Sequence, residues 1–270
     1  MNLALYQQPI VWEDPAANFR MVEERLSSIP SEVDVILLPE TFSTGFSDNM
    51  ARLADTQEGA TLDFARAMAA RHNALFVATW TVRDEKRGVV FNRLHWVRPD
   101  GTYGTYDKGH TFRMSSEAAQ LARGIRPVTF EWRGWRLRPA VCYDLRFPLW
   151  LRNRYDCAAE RLDYDLLLVS ANWPASRHHA WSTLLRARAI ENLCYVVGVN
   201  RVGDDGVGIH YAGYSAAVDF KGEDLALCRP DEEDLRLVTL DREALQTFRS
   251  HWPFYLDADT DSLVHSTDTY

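Results

Sequence analysis

The chain has 270 residues, 46% of them hydrophobic and 25% charged, and 30 Lys and Arg stand against 38 Asp and Glu for a net charge of −8. That length admits one large domain or two small ones, and it buries enough surface to fold without a disulfide or metal staple. The composition excludes collagen-like, disordered and disulfide-scaffold classes, and the acidic balance argues against a nucleic-acid binder, which carries a basic footprint.

Residues 3–7 read as a short strand. Asp14-Pro15 then opens a helix, with Asp as N-cap and Pro at the first helical position. Phe19, Val22, Leu26 and Ile29 mark its buried stripe. Residues 33–39 (VDVILLP) are a nearly continuous apolar run, the pattern of a strand covered on both faces. Leu62, Ala65, Met68 and Ala69 predict a second helix, and 75–82 and 89–97 two strands, the latter ending in a Pro-Asp-Gly turn at 99–101. Strands 128–132 and 135–141 flank Arg133-Gly134 as a hairpin. A short helix follows at 147–154, then a strand at 165–170, a helix at 178–193 through Trp181, Leu184, Leu185 and Arg188, and a strand at 194–199. Residues 209–228 predict a hairpin turning at Lys221-Gly222. A last strand spans 235–240, a helix begins at Asp241, and the tail from Asp257 is polar. Alternating strands and helices without a linker or repeat predict one α/β domain over 1–256, followed by a polar tail or arm at 257–270.

Cysteines stand at 142, 157, 194 and 228 with no CxxC pair, so zinc-ribbon and thioredoxin signatures are missing. Free thiols suit a reducing cytoplasm. The N-terminus lacks the basic and apolar regions of a signal peptide, and no apolar run approaches the ~20 residues of a membrane span. A cytoplasmic protein is expected.

Three residues with chemical potential sit at strand ends, where α/β proteins place their sites. Glu40 ends VDVILLPE, Cys142 ends WRLRPAVC, and Lys108 follows YGTYD. A cysteine at a strand-to-helix turn is open to substrate, and the N–H groups after it can face an oxyanion. The same residue can equally be a small buried apolar filler. Glu40 can cap a loop or pair with an arginine, Lys108 can be a solvated surface lysine, and Glu117 in SSEAAQ can be a first-turn acid favoured by the helix dipole. The eight histidines show no HxH or HExxH spacing, so a zinc hydrolase has no support.

Taken in order, LPETF at 38–42, YDKGH at 106–110, Glu117 and CYDLRFP at 142–148 resemble the nitrilase superfamily of carbon–nitrogen hydrolases, from about residue 3 to about 255. Glu117 is assigned by spacing: the family places a glycine seven residues after this acid, and Gly124 stands there. YDKGHTFRM at 106–114, FEWRGW at 130–135, SANWPASR at 170–177, RARAIEN at 186–192 and NRVG at 200–203 are similar to the omega-amidase branch.

The resemblance implies a four-layer α-β-β-α sandwich that pairs as a homodimer or larger assembly. It implies hydrolysis of the terminal amide of short dicarboxylic monoamides, such as 2-oxoglutaramate, to the dicarboxylate and ammonia. Cys142 would form a thioester, and Glu40 would act as general base and acid. Lys108 and the N–H of Tyr143 would hold the oxyanion, and Glu117 would orient Lys108 or the substrate amide. No metal or other cofactor is required. Arg113 and Arg177 are candidates for the substrate carboxylate, while Arg146 is expected to pair with an acid such as Asp144. Phe46, Phe112 and Trp173 are candidate pocket walls or plain core.

Nitrilase, N-carbamoyl amino acid amidohydrolase and deaminated-glutathione amidase activities are the alternatives within the superfamily. A non-catalytic binding protein of the same fold is the alternative outside it. Two departures stand out. Residues 155–165 look longer than in relatives and could be a harmless surface loop or reshape the pocket entrance or a dimer contact, and Gly109 stands where relatives often carry a bulkier residue, a change expected to loosen the Lys108 loop.

Overall fold

In the computed structural model, which describes residues 1–259, the chain builds one sheet, then a second, and returns to the first. Strands β1 (Asn2–Gln7), β2 (Val35–Leu37), β3 (Leu75–Asp84), β4 (Val89–Val97) and β5 (Tyr103–Asp107) come first. The second sheet takes β6 (Phe130–Trp132), β7 (Trp135–Val141), β8 (Leu166–Ala171), β9 (Tyr195–Asn200), β10 (Ala216–Val218) and β11 (Asp224–Leu227). Strand β12 (Asp234–Thr239) then pairs antiparallel with β1. The spatial orders are β12-β1-β2-β3-β4-β5, with the short strand Asp55–Thr56 beside β3, and β11-β10-β9-β8-β7-β6.

Period-2 alternation explains the layers. Leu3, Leu5, Val35, Leu37, Leu75, Val77 and Leu94 of the first sheet face Leu137, Val141, Leu166, Leu168, Val197 and Val199 of the second in one core. The intervening residues Ala4, Tyr6, Ile36, Phe76 and Ala78 face outward. They pack on Val22 and Leu26 of α1 (Pro15–Leu26) and on Leu62, Ala65 and Met68 of α2 (Ala60–His72). On the far side Leu167, Val169 and Val196 pack on Trp181, Leu185 and Ala189 of α3 (His178–Asn192). Strands buried on both faces must be apolar throughout, which accounts for the unbroken VDVILLP run. The result is the expected four-layer α-β-β-α sandwich.

Local signals hold in detail. The Asp14 carboxylate accepts the Ala17 N–H, and Asp241 accepts the Glu243 and Ala244 N–H groups at the start of α4 (Arg242–His251). Arg133 and Gly134, both at positive φ, turn β6 into β7. The Phe19 side of α1 is only partly buried, and Asn18 takes the buried position instead, bonding Val11, Asp14 and Ser43. Residues 155–165 fold back as a small hairpin of Tyr155–Asp156 and Arg161–Leu162. The chain reaches a last helical turn at Phe254–Asp257; of the expected tail, residues 260–270 lie outside the described residues.

Candidate active site

Four strand ends converge on one spot. Glu40 lies just past β2, and its N–H reaches across to the Ala171 carbonyl of β8, 3.3 Å away. Thr41 takes φ +45°, and its N–H is caught by Thr79 Oγ1 at 2.7 Å. Lys108 follows β5 and donates its main-chain N–H to the Asn92 carbonyl of β4. Glu117 opens the short helix Glu117–Gln120. Cys142 follows β7 at φ +44°, a conformation L-residues avoid and which a site can impose to expose a nucleophile.

Lys108 Nζ lies 2.7 Å from Glu40 Oε1 and 2.9 Å from each oxygen of Glu117. Both carboxylates are fully buried, and Lys108 is 1% exposed. Burial alone would discharge the lysine, but Glu117 and Glu40 outweigh it and hold its pKa above the ordinary value. Burial pushes the Glu40 carboxyl up; Lys108 pulls it down and Glu117 pushes it up again. Burial, followed by the charge of Glu40, also raises the Cys142 thiol well above the ordinary range. The thiol is therefore neutral at rest and needs a base at the moment of attack.

Asn172 ties nucleophile to base. Its N–H donates to Glu40 Oε2 at 3.0 Å, its side chain donates to the Glu40 carbonyl and Thr41 Oγ1, and its carbonyl accepts the Cys142 thiol at 3.7 Å. Asp144 fixes the Lys108 loop to the Cys142 turn. Its carboxylate accepts the Tyr106 hydroxyl, the Val141 N–H, the His110 N–H and His110 Nδ1.

A cavity of about 670 Å³ opens over Cys142, Tyr143 and Lys108. Phe46, Phe112, Trp173 and Arg177 line it. Three expectations change. Arg113 faces a neighbouring depression beside His110 and Arg123, not this cavity. Arg146 does not pair with Asp144, whose acceptors are taken by Tyr106, His110 and Val141; its guanidinium lies in the cavity, 4.8 Å from the Trp173 ring. The Arg177 guanidinium sits 5.3 Å from the Phe112 ring. Gly109 does not loosen the lysine loop: a Cβ there would meet the Trp150 ring at 2.4 Å, so glycine lets Trp150 clamp the loop. Residues 155–165 contribute nothing to the cavity lining.

Asn92 and Asn172 were not singled out from sequence. Asn172 stands inside a quoted motif, where its position after a buried strand was the available signal. The short strands Val202–Asp204 and His210–Ala212 were also missed; they carry Asp205, Val207, Ile209 and Tyr211 to the cavity wall. Gly124 has a direct cause: a Cβ there would lie 2.0 Å from the Asp107 carbonyl oxygen, and its N–H holds the Lys108 carbonyl. Gly124→Ala is expected to lower stability by about 1–3 kcal/mol, read by thermal unfolding; an unchanged midpoint would mean that the loop absorbs the methyl.

A thiol, a lysine and a carboxylate at the strand ends of a four-layer sandwich, with a second carboxylate from a short helix, mark an enzyme of the nitrilase superfamily. The carbon–nitrogen hydrolase family description matches residues 2–250, and the chain belongs to that family. It is 45% identical to the omega-amidase YafV of Yersinia enterocolitica, covering 96% of this chain and 97% of that one. It is 31% identical to the 2-oxoglutaramate amidase of Bacillus subtilis, over 83% and 85% of the two chains. The crystal structure of XC1258 from Xanthomonas campestris, a CN-hydrolase superfamily protein, superimposes with a TM-score of 0.93 at 43% identity, covering 96% and 97%.

Proposed function

We propose that the protein is an omega-amidase that hydrolyses the terminal amide of short dicarboxylic monoamides such as 2-oxoglutaramate. The observation that carries this reading is one cavity lined by Cys142, by Lys108 and by Arg146 and Arg177, with the buried Glu40 and Glu117 carboxylates holding the Lys108 ammonium from behind. Among the described residues neither Arg146 nor Arg177 forms a salt bridge, so both are free to meet a substrate carboxylate. The relatives named omega-amidase and 2-oxoglutaramate amidase support the same substrate class.

The geometry supports the following course of reaction. Glu40 takes the Cys142 proton as sulfur attacks the amide carbon. Lys108 Nζ and the Tyr143 N–H stabilise the oxyanion. The C–N bond breaks as Glu40 returns the proton to the leaving nitrogen, and ammonia departs from a thioester. Water then gives a proton to Glu40 and hydroxide to the acyl carbon; the C–S bond breaks, Glu40 returns the proton to sulfur, and the product leaves as the acid, which ionises to the carboxylate. Glu117 holds Lys108 in place.

The free cysteines 142, 157, 194 and 228 support a reducing cytoplasm. Similarity to a 2-oxoglutaramate amidase supports a role in clearing the 2-oxoacid amide left by glutamine transamination, as in methionine salvage. Pairing as a homodimer or larger assembly belongs to the same proposal.

The test is ammonia release from 2-oxoglutaramate, succinamate, glutaramate, N-carbamoyl amino acids and a simple nitrile. Preference for the monoamides supports the reading, and preference for carbamoyl compounds or nitriles overturns the substrate. Arg146→Ala is expected to raise KM for 2-oxoglutaramate about 10–100-fold with kcat changed far less, as loss of a charge-assisted pair predicts. An uncharged amide of equal length should be unaffected; equal losses on both would remove Arg146 from carboxylate binding.

A further inference from the structure

The cluster can be read as a count of acceptor positions. An ionised carboxylate offers about four lone-pair sites, two on each oxygen. On Glu117 all four are taken: Oε1 accepts Lys108 Nζ at 2.9 Å and Asn92 Nδ2 at 3.1 Å, and Oε2 accepts Lys108 Nζ at 2.9 Å and the Phe112 N–H at 2.6 Å. On Glu40, Oε1 accepts Lys108 Nζ at 2.7 Å and Asn92 Nδ2 at 2.8 Å. Oε2 accepts the Asn172 N–H at 3.0 Å, and the same carboxylate faces the Cys142 thiol.

Asn92 closes the last position on two oxygens at once. It lies on β4, on the same inward face as Leu94 and Trp96, and is 1% exposed. Its carbonyl also holds the Lys108 N–H. The side-chain orientation follows from charge: turned over, Oδ1 would face two carboxylates. In the observed orientation Oδ1 has no partner, a buried cost that the two donations offset.

We propose that Asn92 is a positioning residue for proton transfer: by filling the inner oxygens of Glu40 and Glu117, it leaves Glu40 Oε2, on the Asn172 side, as the open basic position of the cluster. The proton taken from Cys142 and returned to the leaving nitrogen then passes through that one oxygen, and Glu117 takes no part as a base. The inference rests on the proposed hydrolytic reading. The titratable groups facing Glu40 are Lys108 from the end of β5, Glu117 from its short helix and Cys142 from its turn, with Asn92 and Asn172 completing the shell.

Two measurements test this, on Asn92→Ala and, should that variant fold poorly, on Asn92→Ser, which keeps one donor. The first is kcat per reactive thiol, with Cys142 counted by iodoacetamide labelling. The second is the pH dependence of the labelling rate without substrate. Losing a donor to the ionised carboxylate raises its pKa, so the acid limb of labelling should move to higher pH by about one unit. Per-thiol kcat should fall about 30–100-fold with KM within about two-fold, and the Ser variant should lie between. A purely structural role would lower the number of reactive thiols and leave the acid limb in place. An unmoved limb with per-thiol kcat within about three-fold of wild type in the folded variant overturns the proposal. A wild-type protein that turns over none of the amides sinks the amidase reading alone, because the labelling profile needs no substrate.

Discussion

Cys142→Ala is expected to lower amide turnover by on the order of 10⁴-fold or more while leaving the fold intact. The side chain is small and half-buried at the cavity floor, so its loss opens little space in the core. What disappears is the atom that would bond to the substrate. Glu40, Lys108 and the arginines remain, so the variant should still bind 2-oxoglutaramate, and calorimetry should record that binding. Mass spectrometry of wild type mixed rapidly with substrate should show the acyl adduct on Cys142. Residual turnover within about ten-fold of wild type would place the nucleophile elsewhere. The pH profile of the wild type carries a linked sign. Glu40 must be ionised to act as base, and its pKa is raised by burial. The acid limb of kcat/KM should therefore lie above the ordinary glutamate value of about 4.3, with activity lost as pH falls through it.

The second large effect concerns Lys108. Its ammonium is the cation between two fully buried carboxylates. Lys108→Met keeps the length of the side chain and removes the charge. Breaking a buried pair from one side leaves uncompensated charge, here shared by two acids, and costs about 3–5 kcal/mol. Turnover should vanish with it. Stability should also acquire a pH dependence of defined sign. Without the cation, the Glu40 carboxyl is raised further by burial and by Glu117. A carboxyl whose pKa is higher in the folded than in the unfolded state contributes stability that is complete below the unfolded value and is lost as pH rises through the folded one. Urea unfolding of the variant should thus show greater stability at pH 5 than at pH 8. A variant as stable as wild type at pH 8 would overturn this account of the cluster.

Much of the site was legible because strand ends leave a local signature. An apolar run that stops at a glutamate, or at a cysteine before a turn, names both the scaffold and the polar group at its end. The caps at Asp14 and Asp241 and the Arg133-Gly134 turn were equally readable, since a few neighbouring residues determine each. Asn92 was hidden because it lies inside a strand that reads as core, and its partners come from 25 and 52 positions away. Arg146 was misread because the nearest acid in sequence is Asp144. That carboxylate turns inward to Tyr106 and His110, and the guanidinium swings out over Trp173. Proximity along a turn does not decide which face a side chain takes. The small hairpin of 202–204 and 210–212 was lost because strands of three residues give too few alternations to show a period.

The return of β12 to the edge beside β1 bears on how the molecule is made. The second residue from the amino end finds its partner at Thr239, and the Met1 ammonium donates to the Leu240 carbonyl. During synthesis from the amino end, one side of β1 therefore stays without its neighbour until residues 234–239 have left the ribosome. Its exposed N–H and C=O row is the kind of surface on which nascent chains join one another. Release before residue 234 would leave that row open, so the strand that covers β1 is made long after β1 itself.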